Sequence, residues 1–397
     1  MDNISVLICD DSSLMRNLIG RIIEGTEGFE LIGKAENGLD LLEKLNTLKP
    51  DVILLDIEMP KMTGVEFLQK RKELNIRIPV IILSSIATEG AAVTMKCLEL
   101  GASDFITKPG GSSVSIHIAD VSSDIIDSIA SYGGRHARLK GKTVPAPDYF
   151  VHQRKLKEAA KFVAEKKGNA EALKSSPTAI TPISWNPPKP KEPAVIKAER
   201  EGGRIEIIAI GISTGGPNAL REMLPHLNPK LKQPVLIVQH MPAGFTAEFA
   251  LSLNAICPLP VSEAKDGETI MGGHVYIAPG GYHMVVERRT MGNIIRLNQN
   301  PLRNGHRPSA DELFESVADI YQNRSLGLIM TGMGKDGAVQ LTEMRKRGAW
   351  TLGQNQESCI VYGMPRVAWE LGGVQKQVAL EELADEVNKL ALDHQYS

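Results

Sequence analysis

The chain has 397 residues, 42% of them apolar and 23% charged, with a formal net charge of -2. That length predicts two domains and a connecting segment, each domain long enough to bury its own core. No apolar run approaches the ~20 residues of a membrane span. The four cysteines, Cys9, Cys97, Cys257 and Cys359, share no CxxC spacing, which argues against a zinc site or a disulfide framework and suits a reducing compartment. The opening "MDNISVLICDD" lacks the order of a signal peptide, so a cytoplasmic protein is expected.

In the first 110 residues, "ISVLICD" (4–10), "ELIGKA" (30–35), "DVILLD" (51–56), "PVIILSS" (79–85) and "DFITK" (104–108) read as buried strands. Between the first four, "SLMRNLIGRIIEG", "GLDLLEKLNTL" and "GVEFLQKRKEL" show helical periodicity. The alternation predicts a doubly wound parallel sheet, with ligands at the carboxyl ends of its strands. At that edge the pattern places Asp10, Asp11, Asp56, Ser84 or Ser85, and Lys108. Clustered carboxylates repel unless a cation lies between them, and oxygen-only ligands suit Mg²⁺. One carboxylate could then accept a phosphoryl group, with the lysine and the hydroxyl on its oxygens.

Residues 1–134 hold 12 Lys+Arg against 20 Asp+Glu, whereas the next seventy residues are basic. Eight prolines fall within 135–204, including "NPPKPKEP" (186–193), so 131–202 is expected to be a solvated linker. Within it, 151–173 could form a basic helix with a thin apolar stripe. A nucleic-acid or membrane surface is the alternative use of such charge.

From Arg204 the regular pattern resumes with strands "RIEIIAIG", "PVLIVQH", "VYIAP" and "LGLIMTG", and helices "PNALREMLPHL", "SADELFESVADIY" and "AVQLTEMRKRG". This is a second parallel α/β domain over 203–395, Rossmann-like after the flavodoxin-like first. The stretch "IAIGISTGGPNAL" (208–220) is not a P-loop, since no Lys follows its glycines, and it lacks the G-x-G-x-x-G of a dinucleotide site. Ser213 ends one strand, His240 ends the next in "VQHMPAGFT", and Asp336 follows a third in "MTGMGKDGA". One sheet edge thus receives a serine, a histidine and an aspartate, the set in which a carboxylate-held imidazole deprotonates a hydroxyl. The chain order Ser, His, Asp is not that of chymotrypsin, subtilisin or the α/β-hydrolases. Thr214 is a competing hydroxyl; His274, His283 and His306 are read as structural.

The motifs "DDS", "LLDIEMPKMTG" and "TKPG" resemble a response-regulator receiver domain. The resemblance implies that Asp56 is phosphorylated, that Asp10, Asp11, Asp56 and the backbone carbonyl of Glu58 hold Mg²⁺, and that Ser84, Lys108 and Phe105 form the switch. The segments "IGISTGGPNAL", "VQHMPAGFT", "YIAPGGYH" and "MTGMGKDGA" resemble the catalytic domain of the chemotaxis protein-glutamate methylesterases, the CheB family. That implies Ser213 as nucleophile, His240 as base, Asp336 as its orienting partner, the Met333 backbone N–H as oxyanion donor and Thr214 in support of the histidine. The family hydrolyses γ-glutamyl methyl esters on chemoreceptors and deamidates receptor glutamines, without a metal at the esterase site. It implies chemoreceptors as substrates, a histidine kinase as phosphodonor, and a receiver that covers the cleft until phosphorylated. A monomer is expected. A small-molecule esterase is the rival enzyme. A DNA-binding receiver-output protein is the rival outside catalysis, though nothing in 203–397 reads as helix-turn-helix.

Overall fold

The computed structural model describes residues 1–84, 88–108, 114–154, 156 and 192–394. They form two compact units, Met1–Leu83 with Ile106–Lys189, and Ser84–Phe105 with Pro190–Ser397. Among the described residues no helix is long and apolar enough to cross a membrane.

The first sheet has the order β2-β1-β3-β4-β5, from Phe29–Ala35, Ile4–Cys9, Val52–Asp56, Val80–Ser84 and Asp104–Thr107. Its central strands are buried along their whole length, as continuous apolar runs require when helices cover both faces. Each of the first three helices is started by its own side-chain cap. Ser12 accepts the Met15 N–H ahead of α1 (Ser13–Glu24), and Asn37 accepts two N–H groups ahead of α2 (Gly38–Thr47). Thr63 and Glu66 make a reciprocal capping box on α3 (Gly64–Glu73), an arrangement whose loss costs about 1 kcal/mol. Helices α4 (Thr88–Glu99) and α5 (Val114–Ser128) complete the set.

The segment expected as linker begins differently. After α5 the chain makes a π-helical turn, Ile129–Gly133, and a short α6, Gly134–Leu139. Lys142 Nζ then pairs with the buried Asp51 carboxylate at 2.6 Å, which also accepts from Ser5 N–H and Oγ. Phe150 stacks on Phe29 with centroids 4.7 Å apart, and Arg154 pairs with Asp127 at 2.6 Å. Residues up to 154 are therefore packed on the first unit, for a reason composition hides: one buried acid and one aromatic supply their contacts. Of the basic helix expected over 151–173, residues 151–154 and 156 are helical, and the rest lies outside the described residues.

The second sheet is parallel throughout, in the order β14-β13-β12-β6-β7-β9-β8. The four strands expected from sequence are β6 (Ile207–Ile212), β7 (Val235–Gln239), β9 (Val275–Ile277) and β12 (Ser325–Ile329). Three more were not foreseen: β8 (Val261–Glu263) and β14 (Lys376–Val378) are only three residues long, and β13 (Trp350–Gln354) carries a glycine. An antiparallel hairpin, β10 (His283–Arg289) with β11 (Gly292–Asn298), was also missed. Helices α7 (Gly216–Met223), α8 (Thr246–Asn254), α9 (Ala310–Tyr321), α10 (Ala338–Lys346), α11 (Met364–Glu370) and α12 (Leu380–Asp393) accompany the sheet. Phe314 of α9, Tyr276, Ile207 and Leu341 are fully or almost fully buried in the shared core, each contributing about 2 kcal/mol by area. Chain order reverses between β6 and β12, and such a switch point opens a crevice at the carboxyl edge.

Candidate active site and phosphoacceptor cluster

The ladder sets the second unit's site. Ile212 pairs with Gln239, so Ser213 and His240 leave adjacent strands side by side, and His240 N–H donates to Ile212 O at 3.1 Å. On the other side Ser213 N–H donates to Thr331 O at 3.0 Å, fixing the loop after β12. His240 Nδ1 lies 3.1 Å from Ser213 Oγ, and its Nε2 lies 2.8 Å from Asp336 Oδ2. The carboxylate can only accept, so Nε2 carries the proton and Nδ1 is left to accept from the serine hydroxyl. Ser213 is 8% exposed and the Asp336 side chain 1%, so the chain of bonds is nearly dry.

Asp336 is held by more than the histidine. Oδ1 accepts from Ser309 Oγ (2.6 Å), Asn304 Nδ2 (2.8 Å) and Asp311 N–H (3.3 Å); Oδ2 also accepts from Ala310 N–H (2.6 Å). The carboxylate thus caps α9 from outside, at the helix end where a negative charge is favoured. Burial alone would push its pKa up. The donors of His240, Ser309 and Asn304 outweigh that and hold it well below the ordinary carboxylate range.

Gly215, at φ +82, turns the loop that carries Ser213, and Pro217 enters the first turn of α7. A Cβ on Gly332 would lie 2.7 Å from Ser213 Cβ and collide with Met364 Sδ, so only glycine lets that loop pass the serine. The next residue, Met333, has no hydrogen bond on its N–H among the described residues. Thr214 is engaged through its backbone, its carbonyl accepting Thr331 Oγ1 at 3.0 Å, and among the described residues its side chain makes no hydrogen bond to His240. Of the histidines read as structural, His274 bonds Ser262 at 2.8 Å and the buried His283 lies 3.2 Å from Pro301 O. His306 instead lies face to face with His240, centroids 3.8 Å apart.

Sequence reading missed Asn304, Ser309 and Gln239, whose Nε2 donates to both Ser213 O (3.1 Å) and His240 O (3.0 Å). The Asn304-Gly305 dipeptide carried a turn signal. What the turn would hold depended on contacts dozens of residues away.

In the first unit, Cys9 pairs with Leu55, which puts Asp10 beside Asp56. Lys108 Nζ bridges them, 2.8 Å from Asp10 Oδ2 and 2.7 Å from Asp56 Oδ2. Burial raises the Asp56 pKa and the Asp10 charge adds to it, with Lys108 opposing. Oxygens of Asp10, Asp11 and Asp56 lie within 4.8 Å of one another, Asp11 exposed and the others buried, and an oxygen-only set of this kind fits Mg²⁺. Glu58 is exposed two residues beyond Asp56, and Phe105 is partly buried on β5. Ser84 Oγ lies 2.6 Å from Thr94 Oγ1, which itself donates to Gly90 O; Ser85 lies outside the described residues.

Two family models match: the response regulator receiver domain over residues 6–118 and the CheB methylesterase over 208–387. A protein-glutamate methylesterase/protein-glutamine glutaminase of Treponema denticola is 50% identical over 98% of both chains. Proteins of the same name from Treponema pallidum and Halalkalibacterium halodurans are 49% and 39% identical, covering 98% and 97% of this chain and 97% of each relative.

Proposed function

The chain belongs to the CheB family of protein-glutamate methylesterases, receiver domain included, and we propose that Ser213, His240 and Asp336 carry its ester and amide hydrolysis. The bonding chain from Ser213 Oγ through His240 to Asp336, at 3.1 and 2.8 Å, supports the reading. Ser213 Oγ attacks the γ-carbonyl of a methylated glutamate as its proton passes to His240 Nδ1. The imidazolium, held by Asp336, returns that proton to the departing methoxide, and methanol leaves. Water then gives its proton to Nδ1 and attacks the acyl-serine, releasing glutamate and restoring the hydroxyl. A receptor glutamine follows the same course with ammonia leaving. The Met333 N–H donates to the oxyanion.

Asp56 accepts the phosphoryl group from a chemotaxis histidine kinase in the cytoplasm. Asp10, Asp11, Asp56 and the Glu58 carbonyl would hold Mg²⁺, whose charge would offset that of the phosphoryl oxygens. Lys108 binds those oxygens and Ser84 leaves Thr94 to join it. The substrates are methyl-accepting chemoreceptors, and phosphorylation at Asp56 shifts the population toward the active state.

Methanol release from methylated receptor fragments tests the assignment. Ser213→Ala is expected to lose at least ~10³-fold in kcat; release at the unsubstituted rate refutes the role of Ser213.

A further inference from the structure

His306 lies in a turn with no place in the triad. Its N–H donates to Arg303 O at 3.0 Å and Arg303 N–H returns a bond to His306 O at 3.1 Å. The two central residues, Asn304 and Gly305, sit at φ +53 and +83, the tight two-residue turn that Asn-Gly favours. Three anchors hold the turn. Arg303 pairs with Glu312 and Glu315 of α9. Asn304 Nδ2 bridges Asp311 Oδ2 (2.6 Å) and Asp336 Oδ1 (2.8 Å). The adjoining Arg307 carbonyl accepts Gly281 N–H at 3.1 Å. His306 Nδ1–H donates back to Asn304 O at 2.9 Å, which fixes the ring's tautomer and its plane. That ring lies 3.8 Å from the His240 ring at an interplanar angle of 11°.

We propose that His306 is a positioning residue for hydrolysis: its neutral ring is a platform that holds the face of His240 while Asp336 holds its edge. Asp336 restrains rotation of the base within its own plane; nothing in that bond prevents tilting out of it. The stack supplies the missing restraint, and the Asn304 amide couples the two by holding the turn and the carboxylate together. A neutral π-face also suits the imidazolium that forms when Ser213 gives up its proton. A charged His306 would oppose it, and burial above all lowers the His306 pKa to about 4.

The inference rests on His240 acting as the base, so His240→Ala is measured in parallel. Methanol release by His240→Ala at the unsubstituted rate overturns the base assignment, whatever His306 does. With that assignment standing, His306→Ala in the full chain is expected to lower kcat roughly ten- to a hundredfold with KM little changed. His306→Phe, which keeps a ring without a charge, should recover most of the rate. Full activity in His306→Ala, or a His306→Phe as slow as His306→Ala, overturns the platform. If circular dichroism shows His306→Ala unfolded, His306→Leu replaces it, and equal rates for Leu and Phe overturn the proposal.

Discussion

Asp56 and Asp336 both stand at the carboxyl edge of a parallel sheet, are both buried, and face opposite requirements. Among the described residues Asp56 receives one backbone donor, Ile57 N–H at 2.7 Å on Oδ1, and a lysine on Oδ2. Burial and the neighbouring Asp10 raise its pKa. Asp336 receives five donors, two of them from the start of α9, and its pKa is lowered despite its burial. A carboxylate proposed to form a bond to phosphorus keeps lone pairs and a cation site open. One that only orients an imidazole is saturated, and saturation prevents it from competing for the proton. The fold supplies the edge in both cases; the count and kind of donors divide the chemistry.

Exchanging charge for an amide at each site breaks the comparison most sharply. Asp336→Asn is expected to lower kcat by about 10⁴, as when a triad base loses its tautomer, while phosphoryl incorporation from acetyl phosphate continues. Asp56→Asn should abolish that incorporation, measured with labelled donor. If Asp336→Asn hydrolyses at the unsubstituted rate, saturation of that carboxylate serves folding alone.

Gly332→Ala probes how closely the loop after β12 passes Ser213. Its Cβ would meet Ser213 Cβ at 2.7 Å, so the loop must shift, with an expected fall of roughly a hundredfold in kcat and about 1–3 kcal/mol in stability. Methanol release and urea unfolding read the two effects separately.

The smallest effect is the pH dependence of the second unit's stability. His306 falls from its ordinary pKa of 6.5 to about 4, chiefly by burial. Between those values the unfolded chain binds a proton that the folded chain refuses, so stability declines as pH falls through that window and levels off below it. Asp336, lowered in the fold, contributes stability above the ordinary carboxylate range that is lost at still lower pH. Urea unfolding at pH 7 and pH 5 should show a smaller decline in His306→Phe than in the unsubstituted chain. An equal decline assigns the proton uptake to other groups.

Much of the fold was legible because buried parallel strands are runs of apolar residues: "ISVLICD", "DVILLD", "RIEIIAIG" and "PVLIVQH" announce themselves. The short edge strands β8 and β14 had too few residues for any pattern, and the β10–β11 hairpin interleaves charged residues with its buried ones. The expected linker 131–202 has linker-like charge and prolines, yet within it Lys142 is bound to a buried acid and Phe150 to an aromatic. Periodicity does not register contacts of that kind.

Residue type and strand ends determined from sequence alone that Ser213, His240 and Asp336 share one edge, because every strand of a parallel sheet delivers the loop that follows it there. Tertiary structure decided that the histidine turns Nδ1 rather than Nε2 to the serine, that Asp336 caps a helix, and that His306 covers the ring's face. The last of these is made by a turn whose histidine lies 66 residues beyond His240 in the chain. Only packing brings its amide within hydrogen-bond distance of a carboxylate and its ring into stacking contact with an imidazole.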